Sequence, residues 1–283
     1  MGKMTSFSSK KARQLKHGAK WGQHLLTSRV IARATVDAGG VQEGDMVLEV
    51  GPGTGMLTRE LLETGAHVVA VEKDPSMVAV LKHEFKKEID DVRLTMYEGD
   101  IRDAAILKSI FLNRASFFKV VANIPYYITG ELLRLFLTAR PQPQSISFLV
   151  QKEVAERIAK SKKESILSLS VKVYGTPRYI KTVRAGSFNP PPSVDSAILA
   201  ITDISRKNFT PDAGAEARFF ELLHIGFGQK RKTLMGNLKR SAYGRRTSVE
   251  WEGVWKKAGL EKNVRAEDVP LEVWLGLTNA LSP

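Results

Sequence analysis

Three stretches of this chain hold residues whose types and spacing could do chemistry. "LEVGPGTG" (48–55) follows an apolar run and carries Gly51, Gly53 and Gly55 at alternate positions. Glycines there permit positive φ and let a ligand lie against bare backbone. A helix start just behind them favours anions and polar acceptors. Glu72 closes a second apolar run, and Asp100 ends a third in "EGD". A carboxylate at the first place can accept from both hydroxyls of a ribose, and one at the second from an adenine amino group. "ANIPYYITG" (122–130) ends a further run with Asn123, Ile124, Pro125 and two tyrosines, Tyr126 and Tyr127. The glycine turn by itself is equally the mark of a tight structural turn, but with acids at neighbouring strand ends it indicates a nucleoside cofactor. A dinucleotide fingerprint fails, because Met56 stands where a third glycine is required, and no P-loop Gly-Lys-Ser/Thr is present.

Those groups need strands and helices to hold them. Strands are predicted at 46–50, 67–72, 92–100, 117–123 and 145–151, and helices at 55–65, 75–85, 130–140 and 152–160. Pro75 suits a first helical turn. Such alternation implies parallel strands with right-handed crossovers, an open α/β sheet covered on both faces. The glycine turn, Glu72, Asp100 and Asn123 then share the C-terminal edge of the sheet, where such folds bind ligands. Residues 164–175 lean to helix, and 178–186 with 196–204 suggest an antiparallel hairpin on the sheet edge. A polar stretch, 205–217, reads as a linker to a helical remainder. The expected fold is therefore a Rossmann-like α/β sheet, mostly parallel with an antiparallel edge hairpin, plus a small C-terminal helical domain. The divisions are a basic N-terminal tail (1–21), a catalytic domain (22–205) and a basic helical domain (206–283).

Lys plus Arg total 43 against 30 acids, a formal charge of +13. That excess points to a polyanion, most often nucleic acid; a solvated basic surface is the alternative. Its distribution favours a nucleic-acid partner. Residues 1–22 carry Lys3, Lys10, Lys11, Arg13, Lys16 and Lys20 with no acid. "GQKRKTLMGNLKRSAYGRRT" (228–247) carries seven basic residues and no acid, among them Lys230, Arg231, Lys232, Lys239 and Arg240. Both segments suit phosphate contacts. With no cysteine in the chain, disulfides, thiolate metal sites and cysteine nucleophiles are excluded. No run of 18 apolar residues suggests a membrane span.

The glycine turn with Glu72 and Asp100 resembles the class I S-adenosylmethionine-dependent methyltransferases, which implies that cofactor and no metal. Asn123-Ile124-Pro125-Tyr126 is similar to the Asn/Asp-x-Pro-Tyr/Phe motif of methyltransferases acting on exocyclic amino groups of nucleobases. The chemistry explains the residue types. An adenine N6 lone pair is delocalised into its ring, so the amine is a poor nucleophile. Acceptors aimed at its N–H groups, the Asn123 oxygen and the Ile124 carbonyl, would pull the nitrogen toward tetrahedral geometry. Pro125 stiffens the turn and removes a competing donor, and Tyr126 can stack on the base. An activated methyl donor leaves mainly positioning to the protein, so the lack of a general base in the motif is no objection.

"GQHLLTSRVIA" (22–32), "FLVQKEVAERI" (148–158), "SFNPPPSVDSAIL" (187–199) and "FGQKRKTLMGNL" (227–238) narrow the resemblance. Together they are similar to the ribosomal RNA adenine N6,N6-dimethyltransferases, over roughly residues 20–280. The family acts on two adjacent adenosines in a 3′-terminal hairpin loop of small-subunit rRNA, in ribosome biogenesis. The resemblance implies cofactor contacts at His24, Leu26, Gly51, Gly53, Glu72, Asp100 and Asn123, and a second stacking ring at Phe188 opposite Tyr126. His24 departs from the family's usual Asn, and would replace its hydrogen bond to the cofactor carboxylate. Small-subunit rRNA or the pre-ribosomal subunit is the implied partner, with a monomeric enzyme expected in the cytoplasm or, alternatively, an organelle matrix. Two other expectations share the scaffold: the macrolide-resistance methyltransferases of large-subunit rRNA, and a non-catalytic assembly or transcription factor. Pro190-Pro191-Pro192, Tyr127 and "GQKRKTL" favour the small-subunit enzyme, and the intact site motifs favour catalysis.

Overall fold

The apolar runs of the sequence become strands wherever a run can be buried on both faces. The structure, a computed structural model, describes residues 24–111, 118–211, 214–241 and 251–280. The basic tail and its lysines, along with Arg245 and Arg246, lie outside the described residues. Among those described, the strands are β1 (Leu25–Leu26), β2 (Met46–Val50), β3 (His67–Glu72), β4 (Leu94–Glu98), β5 (Lys119–Asn123), β6 (Ser145–Gln151), β7 (Thr176–Val183), β8 (Phe188–Asn189) and β9 (Ser196–Thr202).

Seven of them form one sheet in the order β4-β3-β2-β5-β6-β9-β7. The first five are parallel, and β9 runs antiparallel to both β6 and β7. The edge hairpin expected from the sequence is present as β7 and β9. The chain order reverses between β2 and β5, so their C-terminal ends flank a crevice. Val47, Val68, Ala70 and Val121 face one apolar layer with Ile31, Leu57 and Leu61. Leu48, Val69, Val120 and Phe148 face the other with Leu133 and Phe136. Burial on both faces is why these strands read as continuous apolar runs.

Local chemistry sets the helix starts that frame the crevice. Ser28 caps the helix Arg29–Ala38 by accepting from the Ile31 N–H. Asp74 caps Pro75–Glu84, with the proline in the first turn. Residues 164–175, ambiguous in sequence, contain the helix Ile166–Lys172, opened by a reciprocal Ser165–Ser168 capping box. Three α-helices carry no expectation from the sequence, Arg29–Ala38, Lys86–Asp90 and Ala104–Phe111.

The stretch expected as a linker is tied down. The Arg206 guanidinium donates to the carbonyls of Thr138 and Ala139 and to Glu216. Asn208 donates to the Val173 carbonyl, and Phe209 meets the Tyr174 ring edge-on. The C-terminal helices share the core beyond it: Phe219, Leu222, Leu223 and Trp274 join the cluster that includes Phe148.

Candidate active site

The crevice at the chain reversal is a cleft open to solvent and lined by residues 24–26, 51–54, 56–57 and 123–126. One wall is the glycine turn. Gly51, Gly53 and Gly55 all have positive φ. At two of them space is also closed: a Cβ on Gly53 would lie 2.9 Å from Leu25 Cδ2, and one on Gly55 2.6 Å from Phe85 Cε2. Glu72 lies buried beneath this turn. Its Oε2 accepts from the Gly53 N–H at 3.1 Å and its Oε1 from the Asp74 N–H at 2.9 Å. Burial pushes this carboxyl above its ordinary range, partly offset by those two backbone donors.

The opposite wall is the end of β5. Ile124 is buried and anchors the turn from below, while Pro125 holds φ −58°. The Asn123 Nδ2 donates to the His24 carbonyl at 2.9 Å. That leaves Oδ1 as the acceptor end of the amide. The Tyr126 ring is half-buried, 5.7 Å from the His24 ring at 31°, and its hydroxyl bonds Ser196 Oγ at 2.7 Å. No feature of the sequence singles out Ser196 as this partner.

The third side is a clasp. Leu25 and Leu26 of β1 pair antiparallel with Asn189 and Phe188 of β8. Thr27 adds its N–H and Oγ1 to the Ser187 carbonyl at 2.9 and 3.0 Å. His24 Nδ1 lies 2.8 Å from the Pro190 carbonyl, so that nitrogen carries the proton. The Nδ1 donor of His24 is thus spent on Pro190.

Asp100 and Phe188 lie away from the cleft lining. Both Asp100 oxygens are taken: Arg102 reaches them through its backbone N–H, Nε and an η nitrogen at 3.0, 2.9 and 2.6 Å, and Lys73 through Nζ at 3.1 Å. Arg102 above all holds this carboxyl well below the usual carboxylate range. Phe188 is 4 % exposed and packs in the core layer with Leu26, Leu149 and Ile198. Pairing β8 with β1 turns this side chain inward, so its ring face is not offered to the cleft.

Pocket-lining Leu25, Pro52, Thr54, Met56 and Leu57 flank expected residues, and adjacency was their only signal. A deeper omission is Glu49. It is fully buried, accepts from Thr58 Oγ1 at 2.7 Å through Oε2, and its Oε1 has no hydrogen-bond partner among the described residues. Burial pushes its carboxyl up to about 8. By strand register Glu49 lies opposite Ala70, diagonal to Glu72 on the same sheet face.

Lys230, Arg231, Lys232, Lys239 and Arg240 are all exposed. Lys230 and Lys232 line a second, open cleft with Arg157, Lys163 and Arg265. Basic residues from the sheet domain thus join those of the helical region. Among the described residues no cluster of metal-binding side chains occurs, and no helix is long and apolar enough to cross a membrane.

The donor set of the main cleft fits a nucleoside cofactor: bare backbone at a helix start, a carboxylate beneath it and apolar walls. A family profile described as ribosomal RNA adenine dimethylase matches residues 14–282. The chain belongs to that family. Its relatives agree. A ribosomal RNA small subunit methyltransferase A from Dehalococcoides mccartyi is 37% identical over 259 residues, covering 89% of this chain and 84% of that protein. The protein so named from Synechocystis sp. is 36% identical over 280 residues, covering 93% and 95%. In structure, a dimethyladenosine transferase from Plasmodium falciparum superposes with TM-score 0.71 at 26% identity, covering 90% of this chain and 96% of that one. The 23S rRNA methyltransferase ErmE superposes with TM-score 0.69 at 24% identity, covering 91% and 99%, a likeness of fold. As a family member, the chain is an rRNA adenine methyltransferase with the class I methyltransferase fold.

Proposed function

We propose that this enzyme transfers methyl groups from S-adenosylmethionine to N6 of two adjacent adenosines in a 3′-terminal hairpin loop of small-subunit rRNA. The observation that carries this is Asn123 at the end of β5, its amide nitrogen held by His24 and its oxygen left as an acceptor. It lines the same cleft as the glycine turn.

Bound in the cleft, S-adenosylmethionine supplies a methyl group already activated by its sulfonium. Gly51, Gly53, His24 and the β1 residue Leu26 would hold the donor against the turn. Glu72 would accept from ribose hydroxyls with the lone pairs its backbone partners leave, and Asp100 would take the adenine amino group only by releasing an Arg102 or Lys73 donor. Asn123 Oδ1 and the Ile124 carbonyl would accept the N–H groups of the target amine, freeing its lone pair for in-line attack. The sulfonium would give up its methyl to that lone pair and be left as a thioether, and the proton of the methylated nitrogen would pass to water. Tyr126, braced by Ser196, would take one face of the base. Phe188 would reach the other face only by leaving the core.

A loop base is already partly unstacked, so extruding it costs less than from a duplex. Lys230, Arg231, Lys232, Lys239 and Arg240 would grip flanking phosphates. A monomeric, cytoplasmic enzyme acting on the pre-ribosomal subunit completes the proposal. The test is labelled-methyl transfer onto unmethylated small and large subunits, with the modified nucleotides mapped. Two neighbouring adenosines near the small-subunit 3′ end are expected. Label confined to large subunits would overturn the substrate, and no transfer to either would favour a non-catalytic role.

A further inference from the structure

Tyr127 takes no part in the cleft, and it is 70 % exposed. It makes no hydrogen bond, ion pair or ring contact with any described residue, so the fold does not depend on its ring. Its backbone is nevertheless pinned. It sits in the short helix Tyr126–Ile128, between Pro125 and the helix Thr129–Leu137. The Ile128 N–H donates to the Pro125 carbonyl at 3.2 Å, and Thr129 Oγ1 to the Tyr126 carbonyl at 3.0 Å. Ile128 packs against the core. The two tyrosines therefore diverge: Tyr126 is tied to Ser196 in the cleft wall, and Tyr127 is presented to solvent from a fixed turn.

We propose that the Tyr127 ring is a stacking platform for the purine base next to the target adenosine. The proposal rests on the adenosine-methylating role of the cleft. Drawing one base out of a loop strips its neighbour of a stacking partner on that side. A chain that offers one ring in the cleft and another one residue further along can replace that partner. An aromatic face binds any base, and purines present the larger surface. Because the backbone is already ordered, only the side-chain torsions of Tyr127 lose freedom on binding. When the two adjacent adenosines are modified in turn, the one not in the cleft is the natural occupant of this platform.

The test uses the full-length enzyme and a loop RNA in which 2-aminopurine replaces one of the two adenosines, so that only the other can accept a methyl. Wild-type binding is expected to quench the 2-aminopurine. Tyr127→Ala should lose the quench and raise KM for unmethylated small subunits roughly 5- to 150-fold. Tyr127→Phe should keep both, and both variants should keep wild-type melting and S-adenosylmethionine affinity. No quench in the wild type, or a quench and KM retained in Tyr127→Ala, overturns the platform alone. A wild-type enzyme that transfers no methyl to adenosine overturns the reading of the cleft and the platform with it.

Discussion

The Asn123 side chain donates its amide to the His24 carbonyl across 2.9 Å, joining positions 99 residues apart. This bond distinguishes the two ends of an otherwise near-symmetric amide. With nitrogen committed to the β1 segment, only oxygen remains for an incoming amine. Asn123→Ala should therefore lower kcat roughly 100-fold or more, the scale of losing a preorganised transition-state hydrogen bond. Cofactor affinity by calorimetry and the melting temperature should stay close to wild type. Turnover near the wild-type rate would remove Asn123 from the chemistry.

Glu72 supports the glycine turn with both carboxylate oxygens, and the proposed function has the same carboxylate accept from a ribose. Glu72→Ala should weaken S-adenosylmethionine binding by roughly 10- to 100-fold, the loss of one or two charge-assisted hydrogen bonds. Glu72→Gln should fall between, because one amide oxygen still accepts. Unchanged affinity in calorimetry for both variants would exclude the ribose contact.

Reversing charge at Lys230, Arg231 and Lys232 should impair transfer to RNA while leaving cofactor binding intact. All three are exposed, so the fold should tolerate the change. Each lost phosphate contact flattens the dependence of log affinity on log salt by roughly 0.7 to 0.9. A slope shallower by about 2 is the expected signature. A slope identical to wild type would place the RNA grip elsewhere.

Glu49 predicts a pH dependence. Its carboxyl titrates near 8 in the folded chain against 4.5 ordinarily. Between those values the folded state holds a proton that the unfolded state has released. Its contribution therefore falls as pH rises through that window, by up to about 1.4 kcal/mol per pH unit, and is constant above it. Glu49→Gln removes the titration and can still accept from Thr58. Denaturant unfolding at pH 5, 6.5 and 8 should show the variant gaining on wild type as pH rises. Parallel profiles would mean that Glu49 is already ionised at pH 5.

The sheet was legible because its central strands are buried on both faces, so β2, β3, β5 and β6 stand out as apolar runs. Counting strand ends then put Gly51, Glu72, Asp100 and Asn123 on one edge. Contacts between distant segments were not legible. Two-residue strands such as β1 and β8 have no periodicity, so the pairing of Leu26 with Phe188 could not be anticipated, nor could the burial of Phe188 that follows from it. The His24 side chain looks like a free donor until Pro190 is found beside it. Glu49 reads as one acid in an apolar run, and only the packing around it shows it to be sealed from water. Tyr127, one of two adjacent phenols in sequence, differs from Tyr126 only through the turn that separates them.

The clasp of β1 on β8 has a consequence for the newborn chain. The parallel strands are complete once Gln151 has emerged, and the glycine turn and Asn123 could already face each other. The segment carrying Leu25 and Leu26, made early, must then wait for Phe188 and Asn189 before it has a partner. The cleft thus gains its third side only after the polypeptide that will cover the sheet edge has begun to appear. A ribosome building this enzyme therefore holds a two-walled pocket until Asn189 of 283 residues has emerged, and adds the C-terminal helices to a three-walled one.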